Sequence, residues 1–152
     1  MILPITLTIA GAAALLNLWI AVRVGRVRMS QRVSIGDGGH EPLTARMRAH
    51  SNFVEYTPFF LILLALIEMA HGSRIWLWGV AMAFILARIA HVFGMDGGPR
   101  NRLRGLGIGV TMLVLLGLAL YAIAIPYMER SRPTLQIADV PQPSSSGGLK
   151  LN

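Results

Sequence analysis

The chain has 152 residues, 54% of them hydrophobic and only 14% charged, with fourteen Lys and Arg against seven Asp and Glu. A water-soluble domain carries about 25% charged residues, so a soluble globular protein is excluded, and the net charge of +7 points to membrane orientation or an anionic ligand, with nucleic acid a poor reading. Cysteine is absent, which excludes disulfides, thiolate metal sites and a cysteine nucleophile; any thiol chemistry must use a thiol brought by a ligand.

Four runs are long and apolar enough to cross a bilayer, which takes about 20 residues of helix: 2–22, 52–70, 75–93 and 106–128. Together they predict an all-α integral membrane four-helix bundle as one domain, 1–128. The first run has no basic segment before it and Arg23, Arg26 and Arg28 follow it, so it reads as a span and not as a cleaved signal peptide. No turn signals spaced for strands interrupt the runs, which favours helices over a barrel.

The connection after the first span, 23–51, carries Arg23, Arg26, Arg28, Arg32, Arg46 and Arg48. Within it, Ser34 to Gly39 reads as a turn-rich loop whose glycine amides are a weak candidate for holding an anion. Pro42 suits a first helical turn, so the second helix is expected to start before the membrane, and Pro58 is expected to kink it and free a carbonyl near Val54. A short link, His71 to Arg74, joins spans two and three. The link between spans three and four, 94–105, carries Arg100, Arg102 and Arg104. Nine Arg in the two long connections place those connections in the cytoplasm and both termini outside. Trp19, Trp76, Trp78 and Tyr127 read as interface anchors, and Gly105, Gly107, Gly109 and Gly117 suggest close helix approach along span four. Residues 129–152, rich in Pro, Ser and Gly, read as a disordered tail whose last part resembles an expression remnant.

Ionisable groups within spans cost about 2.5–3.5 kcal/mol each on insertion scales, so their placement is informative. Arg48, Asn52 and Glu55 fall at i, i+4 and i+7 and share one helical face, flanked by Ser51 and Tyr56. Arg88 and His91 share a face of the third helix, and Arg104 stands at the mouth of the fourth. Each group alone is best read as an interhelical contact, Glu55 with Arg88 for example. Taken together they leave an excess of Arg after any such pairing, and the planar guanidinium suits carboxylates. Glu68 and His71 read as interfacial, and Asn17 as an interhelical hydrogen bond. The four His show no paired ligand spacing, so no metal site is expected.

The run Arg48-Ala49-His50-Ser51-Asn52-Phe53-Val54-Glu55-Tyr56-Thr57-Pro58-Phe59 resembles the second-helix signature of the MAPEG membrane proteins. That family includes microsomal glutathione transferases, leukotriene-C synthase and microsomal prostaglandin E synthase. Ala87-Arg88-Ile89-Ala90-His91, with Arg104 following, is a second match, and the loop 32–39 is similar to the small bacterial branch. The resemblance covers about residues 1–128. It implies a homotrimer in a bacterial inner membrane, with glutathione as co-substrate bound between protomers near the cytoplasmic face. Arg48, Asn52, Glu55 and Tyr56 would hold the tripeptide, with Arg88 and His91 from the facing subunit, and Arg28 or Arg26 on a carboxylate. Arg104 matches the arginine that stabilises the thiolate, so a membrane-bound glutathione transferase or peroxidase acting on a lipophilic electrophile or hydroperoxide is implied. Met95 and Gly105 stand where some members have a tyrosine and a serine, leaving thiol activation to Arg104. A non-catalytic glutathione-binding or scaffold trimer and a small four-span transporter remain as alternatives.

Overall fold

The computed structural model describes residues 2–98 and 100–130. They form four helices, α1 Pro4–Gln31, α2 Glu41–His71, α3 Ile75–Asp96 and α4 Arg102–Arg130, each with a segment long and apolar enough to cross a membrane. The all-α, four-span expectation therefore holds. The tail expected to be disordered lies, from residue 131 onward, outside the described residues.

The helices exceed the apolar runs. α1 continues to Gln31 instead of ending at residue 22, so Arg23, Arg26 and Arg28 are helical and not loop residues. Hydropathy marks only where lipid ends; the backbone hydrogen bonds of a helix continue into water, where Arg is a good helix former. Arg32 stops α1 in the left-handed region, at φ 55°. There the amide of Val33 donates to the Arg28 carbonyl at 3.0 Å and closes the last turn. α2 begins at Glu41 with Pro42 in its first turn, as expected, and runs through Pro58 to His71. Beside that proline the Thr57 hydroxyl donates to the Phe53 carbonyl at 2.7 Å. α4 starts at Arg102 because the Asn101 side chain accepts from the Leu103 amide at 2.9 Å, an N-terminal cap.

Each helix packs on the next in sequence, and α2 also meets α4 and α1 meets α3. The core draws on all four helices, from Ile9 and Ile20 of α1 to Leu118 of α4, and between α2 and α3 the Phe60 and Phe84 rings stack with centroids 3.8 Å apart. Leu113, Leu15 and Phe59, by contrast, are exposed, as lipid-facing side chains are. The C-terminal half of α1, the start of α2 and the end of α3 come together at one end, where Asp96 pairs with both Arg23 and Arg46. This ion cluster joins three helices and was not visible in the sequence pattern.

At the opposite end the structure corrects the reading of Glu68 as interfacial. Its side chain is fully buried and caps the N-terminus of α1. The amides of Ile5 and Thr6 donate to it at 3.0 and 2.8 Å, and the Thr6 and Ser73 hydroxyls each donate at 2.7 Å. Leu3, the residue preceding α1, offers no side-chain cap, and free amides at membrane depth are costly. A carboxylate from α2 meets that need and complements the positive end of the helix dipole. Asn17 bonds His50 between α1 and α2 at 3.0 Å, as expected.

Of the four glycines expected to bring α4 close to a neighbour, Gly107 does so: a Cβ there would lie 2.6 Å from the Ala87 carbonyl oxygen and 2.7 Å from the His91 nitrogen. Gly105, Gly109 and Gly117 face open space in the protomer. Spacing selects a helical face but not the neighbour that faces it. The tightest approach to a neighbouring backbone is at Gly94, where a Cβ would collide with Leu103 and Arg104.

Candidate functional site

Three helices each send residues one turn apart to a single groove at the Arg-rich end. α2 supplies Arg48, Ser51, Asn52 and Glu55; α3 supplies His91 and Met95; α4 supplies Arg104 and Ile108. The groove has a volume of ≈ 630 Å³, and Gly36 and Asp37 of the loop before α2 form part of its rim. Five of the residues singled out in the sequence thus meet: Arg48, Asn52, Glu55, His91 and Arg104.

Three others are placed differently. Arg28 lies on the far side of α2, in a second groove of ≈ 590 Å³ that shares Ser51 and Glu55 with the first. Its guanidinium donates to the Ser34 carbonyl at 3.3 Å and contacts the Met47 sulfur at 3.4 Å. Arg88 is fully buried beneath the groove, and Tyr56 is half-buried with its ring centroid 6.0 Å from the Arg88 guanidinium; neither lines the cavity.

The expected Glu55–Arg88 pair does not form. Glu55 is exposed, and Arg88 donates instead to Asn52 Oδ1 at 2.6 Å and to the Thr111 hydroxyl at 3.2 Å. Arg88 leaves α3 at the level of Asn52, whereas Glu55 points from α2 toward the open groove. Within the chain Arg88 reaches Asn52 of α2 and Thr111 of α4, and His91 reaches the Arg104 carbonyl of α4. Thr111 was not singled out in the sequence, where an isolated hydroxyl in an apolar span carries no visible signal.

Arg104 is the most firmly placed of the groove arginines. Its amide donates to the Asn101 carbonyl at 3.2 Å, its carbonyl lies 3.3 Å from His91 Nδ1, and Gly94 packs directly on its backbone. A carbonyl only accepts, so that contact fixes the proton on Nδ1 of His91. The side chain itself is free to face the groove. The rim loop is held in the same way: Asp37 accepts from the Gly39 amide at 3.1 Å and from the Thr44 hydroxyl at 2.8 Å. These bonds hold the Asp37 carboxyl below its ordinary pKa of 3.8, and they commit the Gly39 amide, which the sequence had offered as an anion ligand.

The groove therefore combines two guanidinium groups, one amide and one imidazole with two carboxylates, at the end of the molecule where the long connections lie. Such a lining matches a ligand that carries several acceptors and a single cation. Among the described residues no cluster of His, Asp and Glu has the form of a metal site.

Residues 6–124 match the family model described as "MAPEG family". The chain is also 35% identical over 105 residues to "Inner membrane protein YecN" of Escherichia coli strain K12, an alignment covering 68% of this chain and 79% of that protein. The protein of the same name from Escherichia coli O6:H1 strain CFT073 aligns with the same identity and coverage.

Proposed function

The chain belongs to the MAPEG family, and on that premise we propose that it is a membrane-bound glutathione transferase or peroxidase that activates the glutathione thiol. The observation that carries this reading is the convergence of Arg48, Asn52, Glu55, His91 and Arg104 on one groove. Glutathione has two carboxylates, two amide carbonyls and one ammonium, a good complement to that lining. Arg48 grips a carboxylate, Glu55 takes the ammonium, and Arg104 stands by the sulfur. A thiol of pKa about 8.5 loses its proton more readily beside a cation. The thiolate then attacks a lipophilic electrophile entering sideways from the bilayer, displacing its leaving group or adding to its activated double bond. With a hydroperoxide it attacks the outer oxygen and breaks the O–O bond, releasing the alcohol and leaving a glutathione sulfenic acid that a second glutathione converts to the disulfide and water.

The test is rapid mixing of the purified protein with glutathione while thiolate absorbance is followed. A signal that saturates with glutathione supports activation. Binding by equilibrium dialysis without a thiolate signal would leave a glutathione-binding scaffold, an outcome to which Met95 and the bare Gly105 lend weight. Absence of binding removes the proposal altogether.

A homotrimer, in a bacterial inner membrane like that named for the relative, is part of the same proposal. Arg48, Ser51 and Glu55 are exposed on α2 in the isolated protomer, and about 2.5–3.5 kcal/mol is lost for each charge left against lipid at membrane depth. A neighbouring protomer, covering the open sides of α2, removes that cost. Native mass spectrometry from detergent is expected to give three chains, and a monomer as the sole species would refute it. The Arg-rich end faces the cytoplasm in this arrangement, with Ser73 on the outer side.

A further inference from the structure

Arg88 is a buried cation with an incomplete set of partners. It is 0% exposed, its Nε has no hydrogen-bond partner, and among the described residues no carboxylate lies within ion-pair distance of it. Buried charges are normally paired, because an unpaired one carries a large desolvation cost. The charge here is spent on neutral groups, in a defined direction. The Thr111 hydroxyl donates to the Gly107 carbonyl at 2.8 Å, so its lone pairs are what it presents to Arg88 Nη1, 3.2 Å away. Nη2 then reaches Asn52 Oδ1 at 2.6 Å. The relay runs from α4 through the buried Arg88 of α3 to α2, and ends at Asn52 on the groove.

Its direction settles a matter of chemistry in the groove. Guanidinium donates and never accepts, so the Asn52 atom facing it must be the carbonyl oxygen. The Asn52 amide nitrogen is left without a partner among the described residues, on a side chain that lines the groove. We infer that Thr111 and Arg88 are positioning residues that fix Asn52 as a hydrogen-bond donor toward the groove, so that the bound molecule presents a carboxylate or amide oxygen at that point. Arg88 does not itself touch the ligand. Polarisation of the amide by the buried charge strengthens that donor, while Phe53 and Tyr56, with ring centroids 6.0 Å from the guanidinium, wall it off. The inference rests on the proposed ligand site but makes a statement that the site's occupancy alone does not.

The experiment compares Thr111→Val, Thr111→Ser and Asn52→Asp in the full chain, measuring glutathione affinity by equilibrium dialysis and thermal unfolding in detergent. Thr111→Val is expected to weaken glutathione binding by about tenfold, the scale of one charge-assisted hydrogen bond, and Thr111→Ser to restore it. Asn52→Asp gives Arg88 a carboxylate, so it is expected to unfold at or above the wild-type temperature. It also turns its second oxygen on the ligand's acceptors and is expected to lose affinity by more than tenfold. A purely structural role for Asn52 would lower stability and affinity together. Wild-type affinity in both Thr111→Val and Asn52→Asp overturns the inference. If the wild-type protein binds no glutathione, the functional reading falls by itself, and unfolding decides the orientation: Asn52→Asp at or above wild type supports it, and a clear loss of stability overturns it.

Discussion

Replacing Glu68 with alanine is expected to destabilise the protein by about 3–5 kcal/mol, the usual cost of breaking a buried charged network by removing one partner. The carboxylate accepts four hydrogen bonds, two from the first-turn amides of α1 and two from the hydroxyls of Thr6 and Ser73. Hydrogen bonds to charged groups contribute about 1.5–3 kcal/mol each, and these share one acceptor, so the sum is less than additive. Alanine would leave the Ile5 and Thr6 amides unpaired where water is scarce. Glu68→Gln is expected to fall between, since its amide nitrogen would turn a donor against donors. Thermal unfolding in detergent reads the loss, and hydrogen exchange at Ile5 and Thr6 locates it at the start of α1. Glu55→Gln is the control: Glu55 is exposed and has no ion-pair partner among the described residues, so it is expected to leave protomer unfolding nearly unchanged. Equal unfolding temperatures for Glu68→Ala and wild type would contradict the capping role.

The contrast between these two glutamates shows what local sequence carries. The four helices were legible because a run of apolar residues of membrane length has few other structures open to it. The Arg48, Asn52 and Glu55 stripe was legible because helical spacing places residues on a common face whatever they touch. Partner choice was not. Glu68 finds Ile5 and Thr6, more than sixty residues away in sequence, because α1 offers bare amides where α2 ends; neither segment signals this alone. In the same way Arg88 shares a helical face with His91, yet Asn52 and not Glu55 receives it. Helix ends also escaped the pattern: α1 continues through Arg23, Arg26 and Arg28 because the bilayer boundary ends the apolar run without ending the helix. Gly94 was passed over because a single glycine near a helix end resembles a terminator, whereas here it admits the backbone of Arg104.

That packing makes Arg104 a clean test of thiol activation. Its backbone is held by the Asn101 carbonyl, by His91 and by the close approach of Gly94, none of which depends on the guanidinium. Arg104→Ala therefore removes the charge from the groove without releasing α4, and alanine is the best helix former for the position. The expected result is a rise in the pKa of bound glutathione thiol toward the free value of about 8.5. The sign follows from the charge: a cation favours the thiolate, so its loss favours the thiol. Each unit of rise costs tenfold in thiolate at pH values below the pKa, and loss of a preorganised donor to a developing or standing anion typically costs about 10²–10³ in turnover. A fall of about 100-fold in kcat, with a much smaller change in glutathione affinity, is therefore expected of Arg104→Ala. Arg48→Ala is expected to show the reverse, because a residue that grips a carboxylate remote from sulfur contributes to affinity and hardly to the thiolate. A pH titration of thiolate absorbance at saturating glutathione, for the wild type and both variants, separates the two roles. An unchanged thiol pKa in Arg104→Ala would mean that Arg104 is a surface charge of the membrane boundary, and that the groove binds glutathione without activating it through this residue.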